Sequence, residues 1–407
     1  MHRLLISKII FIFMACALMG SSCSDDSDDV NNNPNPSPGE SASFDQLGFA
    51  EDICTRSNLS TDPIPETINT GSADDSDTHD CDEIIEQPGD AEAPELCVLM
   101  REDLTVEAGT TLSATGTRAL VLFATKSMTI SGTVDVSPSD DATGAGVIAE
   151  LDGEASTADF ELASGSAGNG GGGYGTSGAK GGNFGGLNDT LREGTAGGST
   201  YGSETLVPLL AGSSGGLTLF GSVNNGGGAL ALFSCDTMNL GTSAQVLASG
   251  GGGSEGVTTD GAEPIGGGGG GSGGGILVAA KSLNITDGAV IAANGGAGAG
   301  GPESVIQNNT ATGEFSDPGE DGKASAEAAQ GSEGIGASGK GGNGCALDSE
   351  AETGEDEGTS AQNTFHSGGG GGGGCGRIRI NVSDLSALDL SNAVISPVAS
   401  TGTLDLD

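Results

Sequence analysis

The sequence predicts an all-β protein, a repeat β-solenoid of the parallel β-helix kind carrying long glycine-rich loops. Three observations predict it. First, a unit recurs in which a glycine run breaks into short β-type apolar segments: Gly226-Gly227-Gly228 into "ALALFSCDTMNL", and Gly273-Gly274-Gly275 into "ILVAAKSLNITDGAVIAANGG". Near the C-terminus Gly368 to Gly374, Cys375 and Gly376 lead into "RIRINVSDL". Second, the segments that follow the runs match one another. Third, aromatic residues are 3% of the chain and Trp is absent, so the core must be thin and built from Leu, Val, Ile and Ala. Glycine backbones approach closely and turn tightly, which suits dense backbone packing.

The elements follow in order. Residues 43–100 form a cysteine-containing, loop-rich lead-in, with strands expected around "DPIPETINT" and "ELCVLMRED". From Leu104 the segments "LTVEAG", "TTLSATG", "RALVLFAT", "KSMTISG" and "TVDVS" are short, β-branched or Leu-rich, and punctuated by Gly109, Gly116 and Gly132. Alternation at Met128-Ile130 and Val134-Val136 marks strands with one buried face. "LFATKSMTISGTVDV" from Leu122 matches "LFSCDTMNLGTSAQVLA" from Leu232, with Met128 answering Met238 and Ile130 answering Leu240. "KSLNITDGAVIAA" from Lys281 answers the stretch at Lys126, and "RIRINVSDLSALDLSNAVIS" from Arg377 is a more distant copy. One unit cannot bury its faces alone, so the copies should stack. Residues 101–400 are therefore read as a glycine-rich β-repeat domain.

Between the copies lie glycine-rich excursions at 139–225, 249–275 and 294–374, and 65 of the 77 glycines fall between Ser164 and Gly376. A strict Gly-X-Y period is lacking and proline is sparse, which excludes collagen. Two readings stay open for Gly266 to Gly271 and Gly368 to Gly374: mobile linkers, or extended chains packed beside the repeat.

Residues 1–22 have a short basic start (His2, Arg3, Lys8), an apolar run from Ile9 to Met19 and the small residues Gly20-Ser21-Ser22 before Cys23. This is the pattern of a secretory signal. It is similar to the bacterial lipoprotein signal, which implies acylation of Cys23. Residues 23–42 are acidic, polar and proline-rich, and are expected to form a disordered tether. The expected location is outside the cytoplasm, anchored to an outer membrane or cell surface. The expected partners are a membrane, through the N-terminal lipid, and a surface polysaccharide or matrix. A net charge of −43 repels nucleic acid, which is excluded as a partner.

Six further cysteines, Cys54, Cys81, Cys97, Cys235, Cys345 and Cys375, are disulfide candidates in an exported chain. Local pairing of Cys81 with Cys97 and of Cys345 with Cys375 is favoured. The absence of a C-x-x-C spacing removes support for a zinc ribbon or thioredoxin-like chemistry.

The phrases "GNGGGGYGTSGAKGGNFGG" from Gly168, "LVPLLAGSSGG" from Leu206, "GGGILVAAKSLNITDGAVIAANGG" and "GGGGGGGCGRIRI" together carry a resemblance. Over residues 100–385 the chain resembles glycine-rich surface lipoproteins of myxobacterial and related delta-proteobacterial type, some labelled PE-PGRS-like. The resemblance implies an exported, surface-associated protein and brings no reaction and no functional residues.

Motifs for chemistry were weighed one by one. Gly334 to Gly341 nearly spells a phosphate loop, but Gly341 replaces the Ser or Thr that would bind Mg²⁺. Gly212-Ser213-Ser214-Gly215-Gly216 fits a nucleophile elbow, which needs a helix where "GLTLFGS" reads as strand. Only His79 and His366 could supply its base, and His366 beside a seven-glycine run is a poor place to fix an imidazole. The run Asp74 to Asp82 concentrates oxygen ligands, yet lacks the glycine and closing Glu of a calcium loop, and is read as a solvated acidic loop. A polysaccharide-degrading β-helix would need clustered basic residues and stacking aromatics; Arg377 and Arg379 alternate on one strand, and Tyr174 and Tyr201 are the only tyrosines. No catalytic residue, metal or cofactor is nominated. The function expected is structural or adhesive, with a polysaccharide-binding or polysaccharide-degrading β-helix as the alternative.

Overall fold

A computed structural model describes residues 41–50, 52–72, 78–88, 93–139, 142–147, 167–185, 191–216, 225–258, 264–307, 310–358 and 364–406. All of them belong to one compact unit, Ser37–Asp407. The signal, Cys23 and the tether up to Glu40 lie outside the described residues.

The lead-in supplies β1 (Ser41–Ser43), β2 (Thr67–Asn69) and β3 (Glu83–Ile85). Two sets of three strands follow: β4 (Leu96–Arg101), β5 (Leu104–Val106) and β6 (Thr111–Thr115), then β7 (Ala119–Ala124), β8 (Met128–Ile130) and β9 (Thr133–Asp135). After a small hairpin, β10 (Phe184–Gly185) with β11 (Leu191–Arg192), come β12 (Ala229–Leu240) and β13 (Gln245–Leu247). A second hairpin, β14 (Val257–Thr258) with β15 (Pro264–Ile265), precedes β16 (Gly275–Ile285) and β17 (Val290–Ala292). A small antiparallel sheet, β18 (Glu303–Gln307), β19 (Thr310–Glu314) and β20 (Thr364–Phe365), precedes β21 (Arg377–Val382), β22 (Val394–Ser396) and β23 (Ser400–Asp405).

The repeat units build two largely parallel sheets. Sheet A runs β1-β23-β21-β16-β12-β7-β4-β3, with β5 and β8 joined to the far half of β12; sheet B runs β2-β6-β9-β13-β17-β22. The sequence copies lie side by side in register. Met128 pairs with Met238 and Ile130 with Leu240, and Leu232 sits between Leu122 and Val278. Ile276 then pairs with Ile378. Only β3, at the edge of sheet A, runs antiparallel.

The inner face of sheet A (Leu99, Leu120, Leu122, Leu230, Leu232, Ile276, Val278, Ile378, Ile380) meets Leu112, Val134, Val246 and Ile291 of sheet B in the main core. The outer face of sheet A is buried as well. Val98, Val121, Phe123, Phe233 and Leu277 lie under Phe44, Phe49, Ile53, Tyr174, Leu206 and Leu209. That double burial explains why β4 and β7 are buried at every position and apolar throughout except for Arg101, whereas β6 and β9 alternate.

The glycine excursions form a second ordered body that continues from the strand ends. Consecutive N–H groups of one run address three different neighbours, and every third residue returns to the same one. Gly267, Gly270 and Gly273 donate to Gly368, Gly371 and Gly374; Gly268, Gly271 and Gly274 donate to Ser254, Gly251 and Ala248; Gly269 and Ser272 donate to Gly216 and Ser213. Likewise Gly370, Gly373 and Gly376 donate to Ala299, Gly296 and Ala293, while Gly371 and Gly374 donate to Asn169 and Gly172. Three residues per turn with all hydrogen bonds between chains is the polyproline-II helix, here packed as a bundle. Of the two readings of these runs, packed chains is the one observed.

Candidate functional site

The bundle is the part of the molecule that no β-sheet rule anticipates, and its surface is the candidate site. Interior position dictates composition. Segments 266–275 and 368–376 are surrounded, and a Cβ on Gly270 would stand 2.1 Å from the Gly296 carbonyl oxygen and one on Gly371 2.2 Å from that of Ala179. No side chain fits at those glycines. Segments at the rim need glycine only where they face inward, one residue in three. Gly178 and Gly181, Gly194 and Gly197, Gly212 and Gly215, Gly250 and Gly253, Gly319 and Gly322, and Gly331 and Gly334 all keep that spacing, and each would clash with a neighbouring carbonyl if it carried a Cβ. This local three-residue spacing was the sequence signal for the bundle; requiring one strict period along the whole chain hides it.

The outward positions of the rim carry charge and hydroxyls. Segments 319–322, 331–335, 339–345 and 352–357 lie next to one another and expose Glu320, Asp321, Glu333, Glu352, Glu355 and Asp356. Several of these side chains complete the bundle's hydrogen bonding. Asp321 accepts from Gly252 N–H at 2.7 Å, Asp356 from Asn183 N–H at 2.7 Å, and Glu320 from Gln330 N–H at 2.8 Å. That backbone bond, followed by Lys323 at 3.1 Å, holds the Glu320 carboxyl below its ordinary range. Glu333 at 3.0 Å raises Lys340 above the usual lysine value.

Buried polar side chains mark the joints. Ser213 donates to Gly173 O and accepts from Gly173 N–H, so the serine of the elbow-like motif is a bundle cross-link. His366 is buried, and its Nε2 lies 2.9 Å from Glu303 Oε2 across the β18–β20 pairing, with Nδ1 unpartnered. The imidazole is thus firmly fixed, contrary to the expectation for a residue next to a glycine run. Gly336, at φ +64°, lies against the same carboxylate, because its Cβ would sit 1.8 Å from Glu303 Oε2. The near phosphate-loop segment is therefore a packed rim turn. The neighbouring hydroxyls of Ser338 and Ser367 both donate to the Pro302 carbonyl and are committed there.

Arg377 lies over the Tyr174 ring at 5.6 Å and donates to the Tyr201 carbonyl, while burial pushes the Tyr174 hydroxyl well up. Tyr174 is fully buried, so it presents no ring for a sugar to stack on. Arg379 is buried and bonded to Asn381. Arg377 and Tyr174 serve the joint between sheet A and the bundle, whereas Arg379 lies within sheet A, against Asn381 of β21 and Gly402 of β23.

Three disulfides tie the regions together. Cys81 pairs with Cys97 and Cys345 with Cys375, as local pairing suggests, and the remaining pair, Cys54 with Cys235, fastens the lead-in to β12 across 181 residues. Cys345–Cys375 staples a rim segment to the interior. Of the acidic run, Asp80 accepts from Asn69 N–H and Asp82 from Arg101 and Met100 N–H; Asp74 to Asp77 lie outside the described residues. Among the described residues no cluster of His, Cys, Asp or Glu is placed to hold a metal ion, and no helix is long and apolar enough to cross a membrane. Compared with known proteins, the chain matches no family model, no curated sequence and no solved structure.

Proposed function

We propose that this chain is an exported, lipid-anchored surface protein with a structural or adhesive role, and that its stacked parallel sheets are the flanks of a β-solenoid. The observation that carries the reading is the glycine-helix bundle itself. It continues into the sheets through backbone bonds, a buried disulfide staples its rim to its interior, and its outward positions carry the exposed chemistry. Such a body is a stiff platform that presents an acidic, hydroxyl-bearing rim. The secretory pattern before Cys23 and the disulfides fit an oxidising, extracytoplasmic setting.

The partner expected at the rim is a surface polysaccharide or matrix. Screening the purified protein against a glycan array and a polysaccharide panel tests this. Binding without cleavage, weakened by replacing Glu352, Glu355 and Asp356 with Gln or Asn, supports it. Release of oligosaccharide products would overturn the structural role in favour of a polysaccharide-degrading one. A Cys23→Ala chain should lose its membrane association; retention would refute lipidation at that residue.

A further inference from the structure

The first described strand does not lie beside the second. β1 pairs in parallel with β23, so Ser41 lies opposite Thr403 and Ser43 opposite Asp405. From there the chain crosses the outer face of sheet A. Phe44 and Phe49 pack against Phe123 of β7 and Phe233 of β12 with ring centroids 5.1–5.6 Å apart, edge-on except for the tilted Phe49–Phe123 pair, and Ile53 is buried beside them. The backbone bonds Phe49 N–H to Phe44 O, Ile53 N–H to Ala50 O and Thr55 N–H to Asp52 O close within this segment. The short β1 ladder and this apolar contact seat the segment on the sheet. Its far end is covalent: Cys54 is bonded to Cys235 of β12.

We propose that this segment is a force-released strap with a covalent stop. Tension applied to the chain at Ser41 loads the bonds of β1 to β23. Once β1 parts, Phe44, Phe49 and Ile53 lift from the aromatic face, and the peel ends at Cys54. The strap from Ser41 to Ile53 then contributes about 45 Å of extended chain, at about 3.5 Å per residue. Beneath it the Phe123–Phe233 face opens to solvent while both sheets and the bundle stay folded. Under load the molecule thus pays out a short leader and exposes an apolar patch without unravelling. The biological setting rests on the anchored reading above, since only a tethered chain is pulled from this end; the mechanical behaviour itself does not.

The test is single-molecule stretching of the full chain. One handle is placed at the N-terminus and the other in the exposed Asp287–Gly288 turn, which avoids pulling on β23 directly. The oxidised protein should show a first, low-force step of no more than about 45 Å, reversible on relaxation. Adding reductant to the same folded molecule, or using the Cys54→Ser/Cys235→Ser chain, should let that step run past the limit. A first step of equal length with and without the disulfide would overturn the proposal, as would release of the strap only together with the sheets. Because the handles replace any membrane, the result is independent of whether Cys23 is lipidated, which the Cys23→Ala fractionation decides separately.

Discussion

Segments 368–376 and 352–358 run side by side, bonded by Gly369 N–H to Glu355 O and Gly372 N–H to Glu352 O, yet their sequences have little in common. The first is glycine at nearly every position; the second reads "ETGEDEG", with Gly354 in the middle. Both follow the same three-residue helix. The difference is how many sides are occupied. An interior helix meets a neighbour's carbonyl in nearly every direction, so all but Cys375 of this segment are glycine, whereas a rim helix meets neighbours on part of its circumference and exposes carboxylates on the rest. Low complexity and ordinary surface chemistry thus arise from one geometry at two depths. The glycine tracts are closely packed and hydrogen-bonded, contrary to the loop reading their composition invites.

Four measurements would break or sharpen that comparison. The largest effect is expected from Gly371→Ala, whose added Cβ would lie 2.2 Å from the Ala179 carbonyl oxygen, against Gly251→Ala at the rim, where the nearest atom is 3.3 Å away. The interior change should cost about 3–5 kcal/mol and lower the melting midpoint by roughly ten degrees. The rim change should cost at most about 1 kcal/mol, because only the Pro138 ring must give way by a few tenths of an ångström. Equal midpoints would dissolve the distinction between interior and rim.

Next in size is the staple between the two depths. Cys345→Ser/Cys375→Ser opens a 30-residue loop, and about 3–4 kcal/mol should be lost in denaturant titration. If the loss is instead a few tenths, the rim segment is held by its backbone bonds alone.

A third comparison sets sheet B against the bundle. Burial raises the Asp135 carboxyl above its ordinary range, against the pull of Ser137 N–H at 2.8 Å. A raised folded value means that the group favours folding most below the ordinary carboxylate pKa of about 4, and that this contribution is lost as pH rises through the folded value. Asp135→Asn should therefore raise the melting midpoint at pH 7 and give no gain at pH 3.

The smallest effect belongs to the rim. Glu320 is shifted the other way, so its contribution is present at neutral pH and lost as pH falls through the depressed folded value. Glu320→Gln should cost at most a few tenths of a kcal/mol at pH 7, because the group is exposed, and nothing at pH 2. A large loss at pH 7 would show that rim carboxylates hold the bundle together rather than decorate it.

The sheets were legible because their signal is local and repeated. Matching Met128 to Met238 and Ile130 to Leu240 in the sequence anticipates the register in which those residues pair. Sheet A is apolar on both faces and so reads as continuous runs. The bundle was illegible as a whole because its bonds join residues far apart, such as Gly374 to Gly172, and because every glycine in a run looks like every other. Only the rim, where Gly178 and Gly181 or Gly319 and Gly322 alternate with other residues, writes the three-residue turn into the sequence. His366 was illegible for a related reason. Its fixing partner, Glu303, stands 63 residues away and meets it only through the β18–β20 pairing.

The pairing of β1 with β23 also sets an order of events. A chain made from its N-terminus must hold Ser41–Ser43 without a partner until Ser400–Asp405, far along the sequence, have been supplied. A product that stops short of β23 lacks the seat for β1. Closure of the aromatic face of sheet A therefore waits on β23, and such a product displays Phe123 and Phe233 where the paired chain conceals them.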